Sequence, residues 1–145
     1  MSRTHQVAAF GLALIFGLAA PATYTSGALG SRELNGKFRV RLVGEVENLG
    51  VECNRVAQGR FTVSGAMSDR GSFDARFLEC HRALGPYVRT LNGSHGSIHI
   101  KGGATYWKIT GGTGKYSGLR GQGREKNFLG AHGRYRVTMT GMASR

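Results

Sequence analysis

Side chains along residues 37–142 change character at almost every step, and this alternation restricts the chain more than any other feature. In 37–46 (KFRVRLVGEV), Phe38, Val40 and Leu42 alternate with Lys37, Arg39 and Arg41. The same period of two recurs in 60–66, 72–79, 97–101, 105–110 and 134–142. It sets Phe61 and Val63, then Phe73, Ala75 and Phe77, then Ile98 and Ile100, then Trp107 and Ile109, then Tyr135, Val137 and Met139 on one face each. Successive side chains of a strand point to opposite faces, so each segment reads as a strand with one apolar face. Weaker strands are expected over 51–57, 87–92 and 121–128. Turn sequences separate them, among them Ser68-Asp69-Arg70-Gly71, Asn92-Gly93 and Gly111-Gly112-Thr113-Gly114. No stretch holds a helical period for three turns. The 24 glycines also disfavour a helical bundle, because each costs up to ~1 kcal/mol inside a helix. Their spacing has no period of three, which excludes a collagen-like repeat. About eight short strands sharing one apolar face predict an all-β antiparallel barrel or sandwich, and the shared face favours the barrel. Gly44, Gly65, Gly102, Gly103 and Gly141 fit the bends that closure requires.

The N-terminus obeys a different rule. Arg3 precedes an uncharged apolar run from Val7 to Ala20, and Ala20-Pro21-Ala22 supplies small residues at a cleavage site. Residues 1–22 therefore read as a secretory signal peptide, and a run of 14 is short for a membrane span of about 20 residues. The mature protein is expected to be secreted or periplasmic with no membrane span. Residues 23–36 are small, polar and Gly-rich, and read as a flexible arm before a barrel domain at 37–145. Outside the cytoplasm, the two cysteines, Cys53 and Cys80, are expected to form a disulfide. Closing the 26 intervening residues would stabilise the fold by about 3 kcal/mol. Charge is lopsided along the chain. Residues 23–80 carry 8 basic and 7 acidic side chains, whereas 81–145 carry 11 basic and one acidic, Glu125.

The segment Trp107-Lys-Ile-Thr-Gly-Gly-Thr-Gly-Lys-Tyr-Ser-Gly-Leu-Arg-Gly-Gln-Gly123 is the most distinctive in the chain. It reads as strand, glycine turn, aromatic anchor and strand. Gly111, Gly112 and Gly114 can take positive φ, and Tyr116 and Leu119 can fold back onto the apolar face. It resembles the glycine hairpin shared by dirigent proteins and allene oxide cyclase-like barrels. Gly93 to Ile100 and Phe61 to Gly71 resemble two further strand segments of exported bacterial members. The resemblance implies an eight-stranded antiparallel β-barrel with a mostly apolar interior. In plants such barrels act on small apolar or phenolic intermediates. No catalytic residue outside the hairpin matches, so no activity carries over.

Other motifs resolve to turns. A phosphate loop requires G-x-x-x-x-G-K-[ST] opening a helix, and Gly114-Lys115 is followed by Tyr116. Cys80-His81 with His95 and His99 offers metal-ligand chemistry, but Cys80 is claimed by the disulfide and no C-x-x-C is present, so no metal or other cofactor is expected. Asp69 and Asp74 flank a turn and are expected to hydrogen-bond locally. Asn92-Gly93-Ser94 is a formal glycosylation sequon that reads as a turn in a bacterial host.

Three functions fit this reading. In the first, the lumen, lined by Phe38, Phe61, Phe73, Phe77, Trp107 and Tyr135, binds a small hydrophobic ligand without chemistry. In the second, the same lumen serves an isomerase or cyclase. In the third, Lys37, Arg39 and Arg41 on the first strand merge with Arg134 and Arg136 on the last to bind a polyanionic surface. Specific nucleic-acid recognition is not expected, because the chain leaves the cytoplasm and carries no recognised binding fold. A buried ionisable residue facing an open lumen would favour the enzyme, and a lumen plugged by aromatics would favour the basic face.

Overall fold

The computed structural model describes residues 34–48, 55–79 and 85–145, and among them eight strands close into one antiparallel barrel. They are β1 (Asn35–Asn48), β2 (Arg55–Gly65), β3 (Asp69–Phe77), β4 (Tyr87–Gly93), β5 (Gly96–Gly102), β6 (Tyr106–Gly112), β7 (Arg120–Leu129) and β8 (Arg134–Ser144). Each strand pairs with the next, and β1 pairs with β8 from Asn35↔Ser144 to Glu45↔Arg134, which leaves the sheet no free edge. The expected signal segment at 1–22 and both cysteines of the expected disulfide, Cys53 and Cys80, lie outside the described residues.

The alternation sorts the side chains as expected. Phe38, Val40 and Leu42 are buried, while Lys37, Arg39 and Arg41 between them are exposed. Trp107 is 1% exposed, packs against Phe38 at 5.3 Å between ring centroids, and donates its indole N–H to the Arg124 carbonyl at 3.0 Å. Burying such a ring removes a large apolar surface from water, and its one polar atom is satisfied by the backbone.

Several local expectations change. The segments 51–57 and 60–66 are not two strands, because β2 runs unbroken from Arg55 through Gly59. Gly59 sits opposite Gly44 of β1, and a Cβ there would lie 2.5 Å from the Gly44 Cα and 2.9 Å from the Phe73 ring. Glycine at this position allows close packing rather than ending the strand. β1 begins at Asn35, inside the stretch read as an arm, because Asn35 and Gly36 pair with Ser144 and Ala143. In the glycine hairpin only Gly114 of the three expected residues takes positive φ, at 58°. A 3-10 turn over Gly114–Tyr116 follows it and buries Tyr116 and Leu119 against the core, as expected.

Candidate functional site

The six predicted lumen residues, Phe38, Phe61, Phe73, Phe77, Trp107 and Tyr135, all point inward, and none exceeds 3% exposure. Five of them are in ring contact, with Phe73–Tyr135 at 6.2 Å and Phe77–Tyr135 at 6.1 Å beside the Phe38–Trp107 pair. This part of the lumen is packed with side chains.

The chemistry of the interior lies elsewhere, on β4 and β7. Tyr87, Arg89 and Leu91 share the inward phase of β4, so the alternation drives a guanidinium into the barrel. The inward phase of β7 likewise carries Glu125. The two side chains meet with Arg89 Nη1 3.4 Å from Glu125 Oε2, both fully shielded from solvent. Arg89 Nη2 donates to the Tyr135 hydroxyl at 2.8 Å, and Nη1 reaches the Tyr87 hydroxyl at 3.2 Å. The Tyr87 hydroxyl donates to Glu125 Oε2, and Asn127 Nδ2 donates to Oε1 at 2.7 Å. Arg89 also lies over the Tyr87 ring, 4.1 Å from its centroid, where the ring face attracts a cation. Its Nε finds no hydrogen-bond partner among the described residues. Asn127, only half-buried, ties the cluster to the Ala104 carbonyl at 3.1 Å in the β5–β6 connection.

Burial shifts the titration of this cluster. It pushes the Glu125 carboxyl above its ordinary range, against the opposing pull of Arg89 and the hydrogen bonds from Tyr87 and Asn127. The Tyr87 and Tyr135 hydroxyls are also raised by burial and remain protonated donors. For Arg89, burial works against the charge, but the facing tyrosines and Glu125 outweigh it and raise its value.

The opposite end of the barrel holds a second carboxylate, Asp69. Its expected local bonding is only part of the observation. Besides the Arg70 backbone N–H at 2.7 Å, it accepts from the Ser94 hydroxyl at 2.7 Å, the Ser94 N–H at 3.1 Å and the Tyr116 hydroxyl. Gly93 makes room for it, since a Cβ there would lie 2.1 Å from Asp69 Oδ2. Asp74 is also not local, and accepts from Asn92 of β4 at 3.0 Å. Burial pushes Asp69 up, but these hydrogen bonds outweigh it and hold the carboxyl well below the usual range. Ser94, His95 and Asp69 lie together without the geometry of a nucleophilic triad. His95 Nδ1 faces both the Ser94 hydroxyl at 3.1 Å and Asp69 at 3.6 Å, whereas a triad uses opposite ring nitrogens. His99, the other candidate ligand, sits on β5 with Nδ1 3.4 Å from the Thr90 hydroxyl, and Cys80 and His81 lie outside the described residues.

The basic rows fall on the outer wall. Lys37, Arg39 and Arg41 of β1 and Arg134 and Arg136 of β8 are exposed on adjacent strands. Register places Arg136 opposite Val43, and Arg134 opposite Glu45, so these two do not stand beside Arg39 and Arg41. Thr140 and Thr138 do, and across them on β7 stand Arg124 and Lys126.

The lumen cluster escapes a reading based on apolar alternation, although one signal marks it. Arg89 occupies the phase of Tyr87 and Leu91, and Glu125 is the sole carboxylate of residues 81–145. No protein-family model matches the chain, and no curated protein is significantly similar to it in sequence. Solved structures similar to it include pyocyanin demethylase, at 13% identity over 73% of this chain and 98% of that one, with a TM-score of 0.41. Also similar are the pterocarpan synthase dirigent proteins GePTS1 (12% identity, 78% and 83% of the two chains, TM-score 0.42) and PsPTS1 (15%, 77% and 92%, TM-score 0.40). At these values the likeness assigns the chain to no family.

Proposed function

We propose that the barrel is a non-enzymatic binding protein for a small, largely apolar molecule bearing one anionic group, and that Arg89 receives that group. The observation carrying this reading is a guanidinium only 2% exposed, inside an apolar barrel, with its Nε unpartnered among the described residues. Stability does not account for it. Taking two ions out of water costs several kcal/mol each, and well-packed apolar residues in their place are commonly neutral or better. Tyr87, Tyr135 and Glu125 fix the orientation of the guanidinium and leave a donor over. The apolar body of the ligand rests against Phe77, Tyr87 and Tyr135, and entry is past half-buried Asn127. Phe38, Phe61, Phe73 and Trp107 pack the rest of the barrel and keep the site rigid.

Glu125 gives the alternative isomerase or cyclase reading its footing. Burial raises its hold on a proton, so the carboxyl can give one to a bound molecule and the carboxylate left behind can take one back. The two readings separate on whether a bound molecule is released unchanged.

The test uses anilinonaphthalene sulfonate, whose fluorescence rises on burial, with the neutral anilinonaphthalene as comparator. Arg89→Met combined with Glu125→Leu removes both charges while keeping the volume. The double variant is expected to bind the sulfonate at least about tenfold more weakly, since a hydrogen bond to a charged group contributes about 1.5–3 kcal/mol. Both proteins should bind the neutral compound alike. Equal binding of the sulfonate by both proteins would overturn the proposal, and so would no binding to the wild type.

A further inference from the structure

The outer wall formed by β1, β8 and β7 has an order that the lumen does not require. Going across the sheet, Arg39 faces Thr140, and Thr140 faces Arg124. One step along, Arg41 faces Thr138, and Thr138 faces Lys126. All six are exposed. Two columns of cations thus stand on either side of a neutral, hydroxyl-bearing strip. Neighbouring strands are about 4.8 Å apart, which separates the columns by about 10 Å at the backbone, and successive outward residues repeat about every 6.8 Å. β7 and β8 carry no outward carboxylate, since Glu125 points inward, and the outward acids of β1, Glu45 and Glu47, lie beyond the strip, with Glu45 opposite Arg134. None of these four cations pairs with a carboxylate among the described residues. At the end of the strip a cleft of about 500 Å³ opens between Arg39, Ser64, Thr140 and Met142.

We propose that this wall binds a linear acidic polysaccharide, its sugar rings lying along Thr138 and Thr140 and its acidic groups reaching the cations on both edges. The observations select this polymer from among the polyanions. A chain whose acidic groups project from alternate edges meets both columns at once, and its hydroxyls meet those of the threonines. Single-stranded nucleic acid is held differently, by a charged track together with aromatic rings on which successive bases stack. Here the outward positions between the columns are threonines. The exposed rings nearby, Tyr106 and Phe128, stand outside the strip, opposite Arg124 and Arg136. The proposal is independent of the lumen.

The experiment measures binding of an oligogalacturonate, which carries one carboxylate per sugar, beside an oligothymidylate of equal charge, at low salt. Three double variants remove two cations each: Arg39→Gln with Arg41→Gln, Arg124→Gln with Lys126→Gln, and Arg70→Gln with Arg76→Gln on β3 as a control for charge alone. The first two are expected to weaken oligogalacturonate binding by about tenfold each, with the control within about twofold of wild type. Binding should also fall steeply with salt, as screening shortens from about 10 Å at 0.1 M to about 3 Å at 1 M. An equal loss in the control would show a charge count instead of a built site and overturn the proposal. Tighter binding of the oligothymidylate would overturn the choice of polymer, and no binding of either would overturn the wall as a polyanion site.

Discussion

Each end of the barrel holds a buried carboxylate bonded to a tyrosine, and the two are driven in opposite directions. Asp69 is held low and Glu125 is pushed high. The difference lies in the donors. Asp69 sits at a turn, where backbone N–H groups of Arg70 and Ser94 and two hydroxyls converge on it. Such donors stabilise the anion without another charge. Glu125 lies within the lumen, where the backbone groups of the strands are already paired, so side chains and one guanidinium must serve. One arrangement is a clasp that joins the β2–β3 turn, the β4–β5 turn and the glycine hairpin. The other balances two charges in an apolar space, and its parts are worth little except together.

If that contrast is right, the largest effect comes from unbalancing the lumen. Arg89→Met alone strands Glu125 and should cost about 3–5 kcal/mol in urea unfolding, whereas adding Glu125→Leu should recover most of the loss. Additive losses would show that the two charges act separately. The next effect concerns the disulfide. β2 begins two residues after Cys53 and β3 ends three residues before Cys80, both at the Arg89 end. A bond between them would give that end a covalent staple in place of a clasp. Reduction should then cost about 3 kcal/mol, and mass spectrometry of the protein purified without reductant should find the cysteines linked. Free thiols there would leave the Arg89 end unstapled. The smallest effect is at the clasp. Asp69→Asn should cost about 1.5–3 kcal/mol at neutral pH, the range for hydrogen bonds to a charged group. Because folding lowers the Asp69 value below 3.8, the unfolded chain takes up the proton first, so the clasp contributes above that value and is lost as pH falls through it. The variant should therefore lose less stability than wild type on acidification. Glu125 has the opposite sign, since its raised value makes its contribution fall as pH climbs past 4.5. An unchanged acid limb in Asp69→Asn would break the comparison.

The same contrast explains what could be read from the sequence. Strands with runs of apolar residues on the inward face, such as β1, β8 and the Phe73–Phe77 part of β3, announce themselves by alternation. β4 and β7 read as weak because Arg89, Glu125 and Asn127 replace apolar residues on their inward faces. The residues that blurred those two strands are the ones that build the polar cluster. The Asp69 clasp joins residues 25 and 47 positions apart, a pairing that only strand register supplies. Register also decides the outer wall. Arg134 and Arg136 share a strand with Thr138 and Thr140, and only the β1–β8 and β7–β8 pairings reveal that the threonines, not the arginines, stand beside Arg39 and Arg41.

Closure between β1 and β8 has a consequence for the chain while it is being made. Of the eight strands, β1 is synthesised first, yet one of its two partners, β8, is synthesised last. Until β8 has been made that edge has no neighbour to cover its N–H and C=O groups, and an uncovered edge recruits strands from other chains. Lys37, Arg39 and Arg41 project from this strand throughout the wait. Like charges on two copies repel before their backbones can pair, so the row acts as a guard against aggregation in the nascent chain, whatever it binds once the barrel has closed.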